Sequence, residues 1–261
     1  MSVLIVIPAR YASSRYPGKP LVGLRGPDGE KTLIRRSWEA ATAVSGIARI
    51  VVATDDDRIA DHAAGFGAEV VMTSSAARNG TERCAEVAAL LPGYGLVVNL
   101  QGDAPLTPPW FVENLIAGMH ANPMAEIATP VLRCDGRMLA GLLADRRAGR
   151  VGGTTAVFGA GHQALYFSKE VIPHTVEPFA DTALTPVFHH VGVYAYRPDA
   201  LAAYAQWPVG PLEQLEGLEQ LRFLENGRRV LCVEVEPRGQ QFWELNNPSD
   251  VAILEAMLAA R

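Results

Sequence analysis

What most constrains this chain is an alternation in its first half, where short, mainly apolar runs are separated by stretches with helical spacing. "SVLIVIP" opens the chain, and "RIVVAT", "AEVVMT" and "GLVVNLQGD" follow. Between them, "TLIRRSWEAATAV" sets Leu33, Trp38, Ala41 and Val44 at helical spacing. "DDDRIADHAAGFG" runs helically into glycine, and "GTERCAEVAALL" starts at Gly80-Thr81 and stops before Pro92-Gly93. "PPWFVENLIAGMHAN" begins with prolines, which suit a first helical turn. "SVLIVIP", a continuous apolar run, reads as a strand covered on both faces, and the other three runs as the second, third and fourth strands. Strand–helix–strand repeats of this kind predict an α/β fold, a parallel sheet with helices on both faces. Ligands of such sheets bind beyond the carboxyl ends of the strands. Three polar loops fall there: "ARYASSRYPGKP", "TDDD" and "QGDAP".

From about Ile127 the rhythm changes. "EIATPVL", "GGTTAVF", "QALYFS", "HHVGVYAYR" and "RVLCVEVE" read as strands, and "PLEQLEGLEQLRFLENG" as the main helix between them. The expected arrangement is a mixed continuation of the sheet with an inserted β arm, all in one domain. "GAGHQA" has the glycine spacing of a dinucleotide fingerprint, but no helix opens after it to receive a phosphate, so it is a hairpin turn. In the main helix, Leu212, Leu215, Leu218 and Leu221 form a stripe expected in the core. Most of Glu213, Glu216, Glu219 and Gln220 are expected in solvent.

Composition excludes several classes. A net charge of −5 does not supply the broad basic face of a sequence-independent nucleic-acid binder. No apolar run approaches the roughly 20 residues of a membrane span. The first apolar run stops at Pro8 and has no basic segment before it, so it reads as a buried strand rather than a signal peptide. The three cysteines, Cys84, Cys134 and Cys232, lie far apart without a CxxC pair, which points to free core thiols and a cytoplasmic location.

The first polar loop carries Arg10, Arg15 and Lys19 with Ser13 and Ser14. Arginine forks onto phosphate oxygens and lysine acts as a point charge. Three cations so close repel one another unless an anion lies among them or solvent screens them; the loop is either a solvated basic loop or, as its place at a strand's carboxyl end beside Ser13 and Ser14 favours, a phosphate site. It is not a P-loop, because Gly18-Lys19 is followed by Pro20 and no glycine stands at position 13. Asp103, past a buried strand, is either the acceptor of an Asx turn or a ligand for Mg²⁺, which binds one or two carboxylates together with phosphate oxygens and water.

Taken together, "IPARYASSRYPGKPL", "VVATDDDRIA", "NGTERCAEV", "VVNLQGDAP", "ALYFSKEVIP", "HHVGVYAYR" and "PLEQLEGLEQLR" resemble, in order and over nearly the whole chain, the 3-deoxy-manno-octulosonate (KDO) cytidylyltransferases. The resemblance implies a Rossmann-like nucleotidyltransferase fold with an inserted β arm, usually a homodimer built through that arm. It divides the single domain 1–261 into a nucleotide half, about 1–125, and an acceptor and dimerisation half, about 126–261. The implied reaction joins CMP from CTP to an anionic sugar acid, releases pyrophosphate and serves lipopolysaccharide biosynthesis. It implies that Arg10, Ser13, Arg15 and Lys19 hold the triphosphate, with Arg15, Lys19 and Asp103 catalytic. Gly80, Thr81 and Gln101 would lie by the nucleoside, Asp103 would bind Mg²⁺, and Tyr166, Lys169, His190, Tyr194, Glu213 and Gln220 would surround the acceptor.

The sequence departs from that pattern mainly on the acceptor side. Asn246 stands where the family has a second aspartate metal ligand, with Asp250 the nearest carboxylate. Lys169 and His189 replace arginines, Thr154 or Thr155 replaces a lysine, and Ala104 a glutamate. A lysine does not reproduce the fork of an arginine. Adjacent side chains on a strand point to opposite faces, so His189 and His190 are not a metal pair. Two alternatives stay open: the same chemistry on another acid, such as an amino-sugar acid or a small phosphonate, or a nucleotide-binding protein without turnover.

Overall fold

The structure is a computed structural model and describes every residue except 13–15, 152, 177, 241 and 261. The first part of the chain forms β1 (Val3–Ala9), β2 (Gly23–Gly26), β3 (Gly29–Thr32), α1 (Leu33–Thr42), β4 (Arg49–Thr54), α2 (Asp57–Gly65), β5 (Glu69–Met72), α3 (Gly80–Leu90), β6 (Leu96–Leu100) and α4 (Pro109–Ala121). Then follow β7 (Ile127–Asp135), α5 (Gly136–Arg147), β8 (Thr155–Phe158), β9 (Ala164–Ser168), β10 (Leu184–His190), β11 (Val193–Tyr196), α6 (Pro198–Gln206), α7 (Pro211–Glu216), α8 (Leu221–Glu225), β12 (Val230–Val235) and α9 (Asp250–Ala259). These fall into two compact units, 1–113 with 195–205 and 237–261, and 114–194 with 206–236.

In the first unit the strands run β5-β4-β1-β6, all parallel. Leu4, Ile5, Val6 and Ile7 of β1 are fully buried, as an uninterrupted apolar run requires. The chain steps outward from β1 to β4 to β5, then returns to the far side of β1 as β6. Right-handed crossovers made in opposite directions put α1 and α2 on one face and α3 on the other. Accordingly α1 packs on β1 and β4, α2 on β4 and β5, and α3 on β1 and β6. The reversal between β1 and β6 is a topological switch point, and the loops leaving those two strands meet there.

The hairpin β2–β3, closed at Gly26–Gly29, goes beyond the sequence reading. It carries Leu24 into a cluster with Leu33, Leu106, Leu245, Leu254 and Leu258, so that α9 packs against β2.

In the second unit β7 pairs in parallel with β12 and antiparallel with β10; β10 continues to β8 and β8 to β9, both antiparallel. This antiparallel extension is the expected β arm. The turn at Gly159–Gln163 is a hairpin, closed by Gly159 N donating to Gln163 O at 3.0 Å. Helix α5, capped by the Asp135 side chain on Met138 N, was not apparent from spacing.

The leucine stripe fails as a core prediction. Leu215 is 83% exposed, Leu212 and Leu218 are half-buried, and only Leu221 is fully buried. The cause is Gly217, left-handed at φ 62°, which ends α7 and turns the chain before α8. With the helix broken, one spacing no longer maps onto one face. Glu213 (7% exposed) and Gln220 (1%) turn inward instead of into solvent.

Candidate active site

At the switch point the loop after β1 meets the loop after β6. Gly18 N donates to Tyr11 O at 2.9 Å and Lys19 N to Tyr16 O at 3.2 Å, and residues Lys19–Leu21 form a single 3-10 turn with Pro20 buried. That turn aims Lys19 Nζ at Asp103 Oδ2, 2.6 Å away, and at Leu245 O, 2.9 Å away. Leu245 N in turn donates to Asp103 O at 2.9 Å. Both ion-pair partners are mostly withdrawn from water, at 15% and 24% side-chain exposure. A lysine and an aspartate far apart in sequence thus meet where an α/β sheet places its ligands.

Around this pair, exposed Arg10 donates from Nη1 to Arg78 O at 3.2 Å. Tyr11 lies under the Arg58 guanidinium, 3.4 Å from its ring centre, and Arg58 forks onto Asp56 at 2.9 and 2.7 Å. Sequence reading missed this clasp between α2 and the loop; an arginine following the capping Asp56 by two residues was its only signal. Gly80 opens α3 behind the Asn79 cap, whose side chain accepts from Glu82 N. A Cβ on Gly80 would stand 3.0 Å from Asn99 Nδ2 and 3.3 Å from Gln101 Nε2, which puts Gly80 and Gln101 side by side. Thr81 is buried, its hydroxyl 2.7 Å from that of Tyr196. Arg83, also buried, reaches Thr73 and Asp55 and braces the ends of β4 and β5. Ser13 and Arg15 lie outside the described residues.

Asn246 and Asn247 donate their backbone N–H groups to Asp250 Oδ2 at 2.9 and 2.7 Å. Asp250 therefore serves the turn that starts α9. Asn246 follows directly on Leu245, which bonds to both Lys19 and Asp103.

In the second unit the expected acceptor residues form two groups. His190, Tyr194 and Gln220 are buried together: His190 Nε2 lies 2.9 Å from Thr129 Oγ1, its ring 5.5 Å from that of Tyr194, and Tyr194 OH donates to Gln220 Oε1 at 3.0 Å. Burial, reinforced by His189 next to it, pushes the His190 pKa down to about 3; burial alone pushes His189 down to about 4. Both rings are neutral at pH 7. Tyr166 and Lys169 gather around Glu216, which accepts from Ser168 Oγ at 2.6 Å and Lys169 N at 2.9 Å. Burial first, then the Glu216 charge, raises the Tyr166 pKa. Glu213 belongs to neither group: its carboxylate is gripped by fully buried Arg222 at 2.6 and 2.7 Å. A buried guanidinium requires such a partner.

Comparison with known proteins decides the family. Residues 4–230 match the family model described as Cytidylyltransferase. The chain belongs to the cytidylyltransferase family. It is 43% identical over all its length, and 98% of the relative's, to 3-deoxy-manno-octulosonate cytidylyltransferase of Maricaulis maris. It is 39% identical, over 99% of each chain, to 8-amino-3,8-dideoxy-manno-octulosonate cytidylyltransferase of Shewanella sediminis. Among solved structures, CMP:2-keto-3-deoxy-manno-octonic acid synthetase complexed with CTP matches 99% of the chain and 98% of its own, with TM-score 0.83 and 34% identity. This cytidylyltransferase is thus a nucleotidyltransferase with the α/β fold of that synthetase. Among its described residues no helix is long and apolar enough to cross a membrane.

Proposed function

We propose that the protein transfers CMP from CTP to a KDO-like 3-deoxy-ulosonic acid and releases pyrophosphate. The observation that carries this reading is Lys19 Nζ on Asp103 Oδ2, 2.6 Å apart at the switch point. An acceptor hydroxyl oxygen bonds to the α-phosphorus, the bond from that phosphorus to the bridging oxygen breaks, pyrophosphate departs, and the hydroxyl proton passes to water. Such a displacement needs positioning and neutralised charge rather than a covalent intermediate. Lys19 and Arg10, with Arg15 and Ser13, supply cations and donors for the triphosphate; Gly80, Thr81 and Gln101 serve the nucleoside.

The donors present suit Mg²⁺. Asp103 offers one carboxylate, Asn246 a neutral amide oxygen, and among the described residues no group of three or more His, Cys, Asp or Glu side chains could hold a metal alone. Magnesium takes its remaining ligands from phosphate oxygens and water. When bound with CTP it supplies charge neutralisation at the phosphates.

For the acceptor, the KDO and amino-KDO relatives support an octulosonic acid, held by residues of the second unit. Lys169 stands as its monodentate cation, and the His190, Tyr194 and Gln220 cluster lines its site. A homodimer through the β arm is supported by exposed apolar residues there, Leu165 on edge strand β9 and Leu184 on β10. The buried free thiols support a cytoplasmic setting. The test is pyrophosphate release from CTP and Mg²⁺ across a panel of KDO, 8-amino-KDO, sialic acid and small phosphonates. KDO is expected to turn over fastest; faster turnover of a phosphonate or sialic acid would reject the acceptor.

A further inference from the structure

Strand β6 reads Leu-Val-Val-Asn-Leu, and all five residues are buried. Asn99 is 0% exposed, yet among the described residues neither its Nδ2 nor its Oδ1 meets a hydrogen-bond partner. A buried amide left this way costs about 1–3 kcal/mol for each unpaired group, and an apolar residue of similar size would avoid that cost. Its place in the fold indicates what it serves. Asn99 lies one turn of the pleat before Gln101, on the side of β6 that faces the start of α3. Nδ2 is 3.0 Å from where a Gly80 Cβ would stand. Gly80 opens α3, so the N-terminus of that helix lies there too. The side chain of Asn79 caps Glu82 N, two residues further on.

We propose that Asn99 is a nucleoside-binding residue, its amide hydrogen-bonding the ribose or base of the nucleotide at the N-terminus of α3, beside Gly80. The class of ligand follows from the amide. Asn99 offers one acceptor and two donor hydrogens. A phosphate, which only accepts, would leave Oδ1 unpaired. A ribose hydroxyl, or the amino and ring-nitrogen edge of cytosine, presents donor and acceptor together and satisfies both ends. Asn99 therefore belongs to the nucleoside end of the site, and Lys19 and Arg10 to the phosphate end. Asn99 deepens the cytidylyltransferase reading and rests on it.

The test compares wild type with Asn99→Leu, an apolar substitution of similar size, by calorimetry with CMP, 2′-deoxy-CMP and inorganic pyrophosphate. In the variant, CMP affinity is expected to fall roughly tenfold, as for loss of one or two hydrogen bonds. Pyrophosphate affinity is expected to stay unchanged, and the melting temperature without ligand to hold or rise. If 2′-deoxy-CMP already binds wild type as weakly as CMP binds the variant, the ribose is the partner; if it binds wild type like CMP, the partner is the base or the 3′-hydroxyl. Undiminished CMP affinity in a folded variant overturns the inference and leaves Asn99 to an internal water. Failure of wild type to bind CMP at all overturns the cytidylyltransferase reading itself. Should the variant not fold, the Asn99 side-chain NH₂ resonance of wild type decides: it should shift with CMP and not with pyrophosphate, and no shift with CMP refutes the proposal.

Discussion

Lys19 and Asp103 form a charge pair held from both sides, by Leu245 O on the lysine and Leu245 N on the aspartate backbone. Replacing Lys19 by Ala leaves a mostly shielded carboxylate without its cation and removes a charge from the triphosphate. Turnover is expected to fall at least roughly tenfold, comparable to losing one preorganised electrostatic donor, with a stability loss on the order of 1 kcal/mol. Steady-state pyrophosphate release and thermal denaturation check the two parts; an unchanged rate removes Lys19 from the mechanism. Glu213 makes the opposite prediction. Because it neutralises fully buried Arg222, Glu213→Ala should destabilise the fold by about 3–5 kcal/mol, whereas Glu213→Gln, which can still accept from the guanidinium, should cost less. Urea denaturation measures both, and a stable Glu213→Ala variant with altered acceptor KM would restore Glu213 to the acceptor site.

At the scale of elements, β1 and β6 were legible because a strand buried on both faces has no polar alternation to blur it. The loops after β1 and β6 were legible as sites for the same reason: their charges interrupt otherwise apolar runs. The "PLEQLEGLEQLRFLENG" segment was not. Its leucines keep helical spacing on paper, but Gly217 at φ 62° breaks the register, and the spacing cannot show which glycine turns left-handed. Gly217→Ala is therefore expected to destabilise the protein by about 1–2 kcal/mol, the cost of a left-handed conformation for a residue with a Cβ. Chemical denaturation tests this, and a neutral or stabilising effect would mean that α7 and α8 can join into one helix. The Arg58 clasp on Tyr11 and the Arg222–Glu213 pair were equally hidden, because each depends on contacts that only the folded chain makes.

For the whole molecule, the buried histidines set an acid limit. Their folded pKa values, about 4 for His189 and about 3 for His190, lie below the unfolded value of about 6.5. The unfolded state therefore binds more protons as pH falls. Stability is complete above pH about 6.5 and declines below it, until pH about 4 for the His189 contribution and about 3 for that of His190. The slope is up to about 1.4 kcal/mol per pH unit for each ring. His189→Asn should flatten the decline between pH 6.5 and 4, read as melting temperature against pH; an unaltered profile would assign the acid limit elsewhere. Function at this scale rests on a cation and a carboxylate brought together by topology. The measurement that tests it most directly is pyrophosphate release from CTP with Mg²⁺ and KDO, in wild type and in Lys19→Ala side by side. Release that depends on KDO in wild type and falls at least roughly tenfold in the variant is the predicted result; no release with any acid, or equal release by both proteins, contradicts it.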